Sequence, residues 1–153
     1  MTATASDLRN EAGEYKRDFY AWANRQAALL RDGRVAEADL ENIAEEIASM
    51  GRAEKRELVS RLAVLLLHLL KWRFQPARRS NSWRSSIAEQ RIRLAGHLED
   101  NPSLRPLLPE VLPRAFALAV LGASRQTGLA EQDLPQDCPW SAEQAMADGF
   151  LPE

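Results

Sequence analysis

Between Gly51 and Arg84 the chain reads GRAEKRELVSRLAVLLLHLLKWRFQPARRSNSWR, and its hydrophobic positions nearly close a ring. Stepping about 100° per residue, Leu58, Leu65, Leu66, Leu69 and Trp72 fall on the same side as Leu62. Val59, Leu67 and Leu70 widen the arc. Glu57, Ser60, Arg61, His68 and Lys71 are left as a narrow polar seam. A helix that is apolar over most of its circumference is the buried centre of a helical domain, so a central helix is predicted from Arg52 to Phe74. It is too short for a bilayer span: the uncharged part, Leu62 to Leu70, is about nine residues, against the ~20 that a membrane requires.

The flanking pattern is also helical. Leu8, Ala12, Tyr15, Phe19, Trp22, Ala23 and Leu30 recur at three- and four-residue spacing and predict a first helix from Ser6 to Arg31, stopped by Gly33. Asp39 is a good N-cap for a second helix, whose buried stripe is expected to be Leu40, Ile43, Ala44, Ile47 and Met50. Gly51 is expected to break or bend the chain into the central helix. Gln75-Pro76 ends that helix, because the residue before proline avoids the helical region. After a loop, Ala77 to Ser82, a fourth helix begins between Ser82 and Ser86, capped by Ser82 or by the Ser86/Glu89 capping box. Its inward stripe is Trp83, Ile87, Leu94 and Leu98. Asn101-Pro102 opens a short or kinked segment containing Pro106, Pro109 and Pro113. A helix then runs to Gln126, with Phe116, Ala119, Gly122 and Ala123 as a small-residue face, and Gly128 stops it. The segment 129–153 reads as a loop and a last short helix, Ser141 to Asp148, with Trp140 and Phe150 pinning the tail. No stretch alternates as a strand, and no linker is long enough to split the chain.

The expectation is therefore all-α: a single domain over residues 1–153, a bundle of about five or six helices around a long central helix. The 153 residues suffice for a real core. One cysteine, Cys138, excludes an intrachain disulfide framework. The N-terminus, MTATASDLRNE, has neither a basic nor an apolar leader region, so a cytoplasmic protein is expected.

Charge changes the picture more than composition does. The net charge is −2, but residues 1–50 carry −4, residues 51–93 carry +8 and residues 94–153 carry −6. One reading is internal neutralisation, with acidic helices covering a basic one. The other is a basic surface for an anionic partner, an acidic protein or nucleic acid. Its residues are Lys71, Arg73, Arg78, Arg79 and Arg84, interleaved with Trp72, Phe74 and Trp83. Arginines fork onto phosphates, and exposed aromatics stack bases, but both tryptophans also sit on stripes that favour burial.

The motifs of common enzyme classes are missing from the sequence: no Gly-x-Ser-x-Gly, no P-loop, no Gly-x-Gly-x-x-Gly. Neither His68 nor His97 follows a glutamate by three residues, as a di-iron bundle needs, and no metal or cofactor is expected. Cys138, in Asp-Cys-Pro, has no basic neighbour to lower its pKa and reads as an inert thiol. Two further possibilities stand beside the binding protein. One is an enzyme with a polar site between helices two and three, built from Glu41, Glu45, Arg61 and His68. The other is a homo-oligomer joined through the Ala119/Gly122/Ala123 face.

The segments FYAWA, DLENIAEEI, GRAEKRELVSRLAVLLLHLLKW running into QPARRS, then SWR and NPSLRP, together resemble a bacterial family catalogued as domain of unknown function number twenty-nine. The resemblance covers nearly the whole chain, from Tyr15 to Glu153. It implies a compact all-helical protein. It implies no activity, since that family has no established catalytic residues to carry over.

Overall fold

The computed structural model describes residues 13–153. Among them there is no strand; the architecture is all-α around one long helix, as the pattern predicts. The α-helices are α1 (Phe19–Arg31), α2 (Leu40–Phe74), α3 (Asn81–Asp100), α4 (Leu108–Thr127) and α5 (Ala142–Met146), joined by 3₁₀ turns. Residues 13–17 are also helical. The chain divides into two compact units, one ending at Ala53 and one running from Glu54 to Glu153.

In the first unit the expected first helix is interrupted. Asp18 leaves helical geometry, and its carboxylate accepts a hydrogen bond from Ala21 N–H at 3.1 Å, capping α1. The predicted residues before Gly13 lie outside the described region. Tyr15, Phe19 and Trp22 pack their rings together, with centroids 4.7 to 5.8 Å apart. Gly33, at a φ of 73°, turns the chain out of α1. Asp39 then ties the unit together. It accepts hydrogen bonds from Trp22 Nε1 (3.0 Å) and from Asn42 N–H at the start of α2 (3.4 Å), and its own N–H donates to the buried Gln26.

Two expectations fail here. Gly51 does not break the helix: α2 runs unbroken for 35 residues. A mid-helix glycine costs about 1 kcal/mol relative to alanine, which its helix-forming neighbours Ala48, Arg52, Ala53 and Glu54 absorb. The stripe assigned to the core is also largely open to solvent. Leu40 is 49% exposed, Ile47 64% and Met50 67%. Periodicity marks an apolar face; it does not provide an element to cover it.

The second unit holds the core. Leu58, Leu62, Leu65, Leu66, Leu69 and Leu70 of α2 are fully buried, against Ile87, Leu94 and Leu98 of α3 and Val111, Ala115, Phe116, Ala119 and Ala123 of α4. α2 ends at Phe74, ahead of Pro76, as expected. α3 starts earlier than expected, because Ser80 is the cap: its hydroxyl accepts from Trp83 N–H at 3.2 Å. The segment Pro102–Thr127 is long and apolar enough for a membrane span by length and composition. Its apolar stripe, however, is the one packed into this core. The small-residue face of α4 is likewise occupied within the chain: Ala119, Gly122 and Ala123 are buried, and Leu67 of α2 fills the space beside Gly122. The face expected to join two copies is thus packed against α2 of the same chain.

Gly128 closes α4 in the left-handed conformation (φ 80°), as expected. In the tail, Ser141 caps α5, and Trp140 and Phe150 meet edge to face at 6.4 Å. Arg91, only 6% exposed, adds a fastening that the sequence pattern did not show. Its guanidinium donates to Ala145 O (3.0 Å) and Phe150 O (2.6 Å).

Candidate functional site

The basic segment folds into a corner. α2 ends, a 3₁₀ turn over Pro76–Arg78 reverses the chain, and Ser80 starts α3. Trp72 points inward, 6% exposed. Arg79 donates from Nε to the Trp72 carbonyl at 2.7 Å, with its guanidinium 5.0 Å from the Trp72 ring centre. The Arg84 guanidinium lies 5.4 Å from the same ring. Trp72, Arg79, Ser80, Asn81 and Arg84 line an open recess at this corner. Ser80 and Asn81 place the start of α3 at this recess, where the positive end of a helix dipole lies.

The other basic residues lie alongside. Lys71 sits 4.8 Å above the half-buried Trp83 ring and donates to Gln126 at 3.1 Å; burial lowers its pKa. The Arg73 guanidinium lies 5.2 Å from the Phe74 ring, and Arg78 is exposed on the turn. So Trp72 offers no open ring for base stacking, and Trp83 is half-covered by an ammonium group.

Charge pairing separates this corner from four other basic residues of the stretch. Arg52 pairs with Glu45, Lys55 with Glu110, Arg61 with Glu57 and Arg93 with Glu89, at 2.7 to 3.1 Å. Among the described residues, no carboxylate lies within 4.0 Å of Arg73, Arg78, Arg79 or Arg84. Of the pairing carboxylates, two, Glu45 and Glu110, come from the acidic flanks, and two, Glu57 and Glu89, from the basic stretch itself; the four arginines of the corner have no such partner among the described residues.

The expected polar cleft between helices two and three does not form, because those two helices are the single α2. Glu41 lies in its first turn and His68 in its last two, in different units of the chain. Glu45 is taken by Arg52, and Arg61 by Glu57. His68 donates from Nδ1 to Val64 O at 2.9 Å, a satisfied histidine at the rim of the core, and burial holds its pKa below the ordinary value. Cys138 is half-buried, and burial raises its pKa, which suppresses the reactive thiolate.

A second polar recess lies where α3 crosses α2 within the second unit, lined by Glu54, Glu57, Arg61, Arg93, Gly96, His97, Asp100 and Asn101. Glu54, Glu57 and His97 bring their ligand atoms within 4.8 Å of one another. Glu54-x-x-Glu57 places two carboxylates on one helical face, and the histidine comes from the neighbouring helix. A search for glutamate and histidine within one helix passes over this arrangement. Only the packing of α3 on α2 reveals it.

An all-α bundle with a positive corner and an acid–histidine recess is a broad class. The chain matches the family model for the domain of unknown function DUF29 over residues 14–151, and it belongs to that family. No curated protein and no solved structure matches it.

Proposed function

We propose that this is a non-enzymatic binding protein that engages acidic side chains of a protein partner through the corner formed by Arg73, Arg78, Arg79 and Arg84. The observation that carries the reading is the pair Arg79 and Arg84. Both are held against the Trp72 ring, at 5.0 and 5.4 Å, beside an open recess, with no described carboxylate within 4.0 Å. Guanidinium groups braced on an aromatic face lose less conformational freedom on binding than free ones, and their forks match carboxylates. Nucleic acid fits less well. The chain is net negative, whereas nucleic-acid domains carry a positive excess, and the buried Trp72 offers no stacking platform.

The test is a titration with fluorescent oligoglutamate and with labelled single- and double-stranded oligonucleotides, each at two salt concentrations. Oligoglutamate binding that falls with salt, and weakens at least about tenfold in Arg79→Ala/Arg84→Ala, is the expected result. Stronger binding of an oligonucleotide, with a steep salt slope, would transfer the corner to nucleic acid. Absence of binding at low salt would end the proposal.

A further inference from the structure

We infer that Glu54, Glu57 and His97 form a binding site for a divalent first-row transition cation, with Zn²⁺ as the best match. The argument starts from the imidazole. The His97 side chain is 8% exposed. Its Nε2 lies 2.9 Å from the Glu54 carbonyl oxygen. A carbonyl only accepts, so Nε2 carries a hydrogen. Nδ1 makes no hydrogen bond and faces Glu54 Oε2 at 3.6 Å and Glu57 Oε2 at 3.9 Å. A nitrogen lone pair facing two carboxylate oxygens is repulsive unless something positive lies between them, either a proton on Nδ1 or a metal ion.

The surroundings favour the ion. A metal-ligating histidine characteristically donates its other ring N–H to a carbonyl or carboxylate, which fixes the tautomer and aims the lone pair; the Glu54 carbonyl does this here. Glu57 is held in the same way. Arg61 donates from Nε (3.0 Å) and from its terminal nitrogen (2.7 Å) to Oε1 alone, leaving Oε2 to the site. Arg93, the other cation of the recess, is engaged by Glu89. Asp100 adds a further negative charge to the wall.

The spacing and donor types narrow the choice of metal. Ligands about 2.0–2.2 Å from a tetrahedral centre stand roughly 3.3–3.5 Å from one another. The observed histidine–carboxylate distances of 3.6 and 3.9 Å exceed this by a few tenths of an ångström, and all three ligand atoms lie within 4.8 Å of one another. Glu54, 48% exposed, has room to swing inward, and Glu57 closes the gap by turning Oε2 about the Oε1 that Arg61 holds. Imidazole nitrogen suits zinc and its neighbours, whereas Mg²⁺ and Ca²⁺ favour all-oxygen sites. Three protein ligands leave a fourth position facing the recess, where water or a ligand from a partner can bind.

The experiment uses the full chain, stripped with chelator and titrated with ZnCl₂ by calorimetry, with Co²⁺ added separately to read the visible bands of a tetrahedral centre. One equivalent of Zn²⁺ binds, and Glu54→Gln/Glu57→Gln weakens it at least about tenfold. Because both side chains are partly exposed and glutamine matches glutamate in size, that variant is expected to keep the fold, and circular dichroism checks it. Cys138→Ser leaves binding intact, and MgCl₂ does not compete. The site is refuted by no binding, by binding that survives Glu54→Gln/Glu57→Gln, or by binding that disappears with Cys138→Ser. Each of the last two would place the zinc elsewhere on the chain.

Discussion

Leu67 of α2 lies so close to Gly122 of α4 that a Cβ at position 122 would stand 2.5 Å from Leu67 Cδ1 unless the leucine moved. Gly122→Ala sets two effects against each other. The methyl pushes on the end of a half-buried leucine that can rotate, while alanine contributes up to about 1 kcal/mol of helix propensity. The net change is expected to stay within about 1 kcal/mol. Gly122→Leu has no such escape and costs about 1–3 kcal/mol by overpacking. Urea midpoints of the two variants decide it; a neutral Gly122→Leu would mean that the two helices are not in close contact there.

Leu66 and Ile47 sit on the same helix and differ in burial, 0% against 64% exposed. Leu66→Ala is expected to cost about 2–5 kcal/mol. Ile47→Ala removes as much hydrocarbon from the surface and should stay within about 0.5 kcal/mol. Chemical denaturation of both variants checks the contrast. Equal losses would show that the Leu40–Met50 stripe is covered in solution.

Arg91→Met keeps the aliphatic stem and removes the donors to Ala145 O and Phe150 O. Charge-assisted bonds at a buried site put the loss at about 2–3 kcal/mol. The tail should also loosen before the core does. Limited proteolysis should therefore clip the variant after position 129 under conditions that leave the parent whole, and an unclipped variant would remove the fastening role.

His68 makes stability depend on pH. Burial disfavours its imidazolium, so its folded pKa lies below the ordinary 6.5. As pH falls through about 6.5, the unfolded chain takes up a proton that the folded chain still refuses. The stabilisation is whole above that pH and is lost progressively as the pH drops toward the folded value. Urea midpoints from pH 8 to 5.5 should fall more steeply for the parent than for His68→Gln. Parallel curves would exclude His68 as the responsible group.

These residues also show where sequence reading succeeds and where it stops. The leucines from Leu58 to Leu70 were legible because a helix with so narrow a polar seam has only one stable placement, the middle of a core. The end of α2 at Phe74 was legible because Pro76 acts locally on the backbone. Gly51 misled because a glycine penalty of about 1 kcal/mol is small beside the cooperativity of a long helix. The Leu40–Met50 stripe misled for another reason: whether an apolar face is covered depends on elements distant in the chain. The two sites divide along the same line. The basic corner lies within one stretch, and its charge is countable, though only the fold shows which arginines escape pairing. The Glu54, Glu57 and His97 cluster depends on α3 crossing α2, and Arg91 on the tail returning to α3. Neither has a local signature.

The single thiol has a practical consequence. Cys138 is half-buried in the segment that precedes Trp140, and no other cysteine competes with it. Its rate of reaction with a disulfide reagent therefore acts as a clock for lifting of the tail. Dividing that rate by the rate of the unfolded chain gives an upper bound on the equilibrium constant for local opening, without any added label. Native-state kinetics at one atom can then report whether a partner or an ion bound elsewhere in the second unit tightens or releases the last residues of the protein.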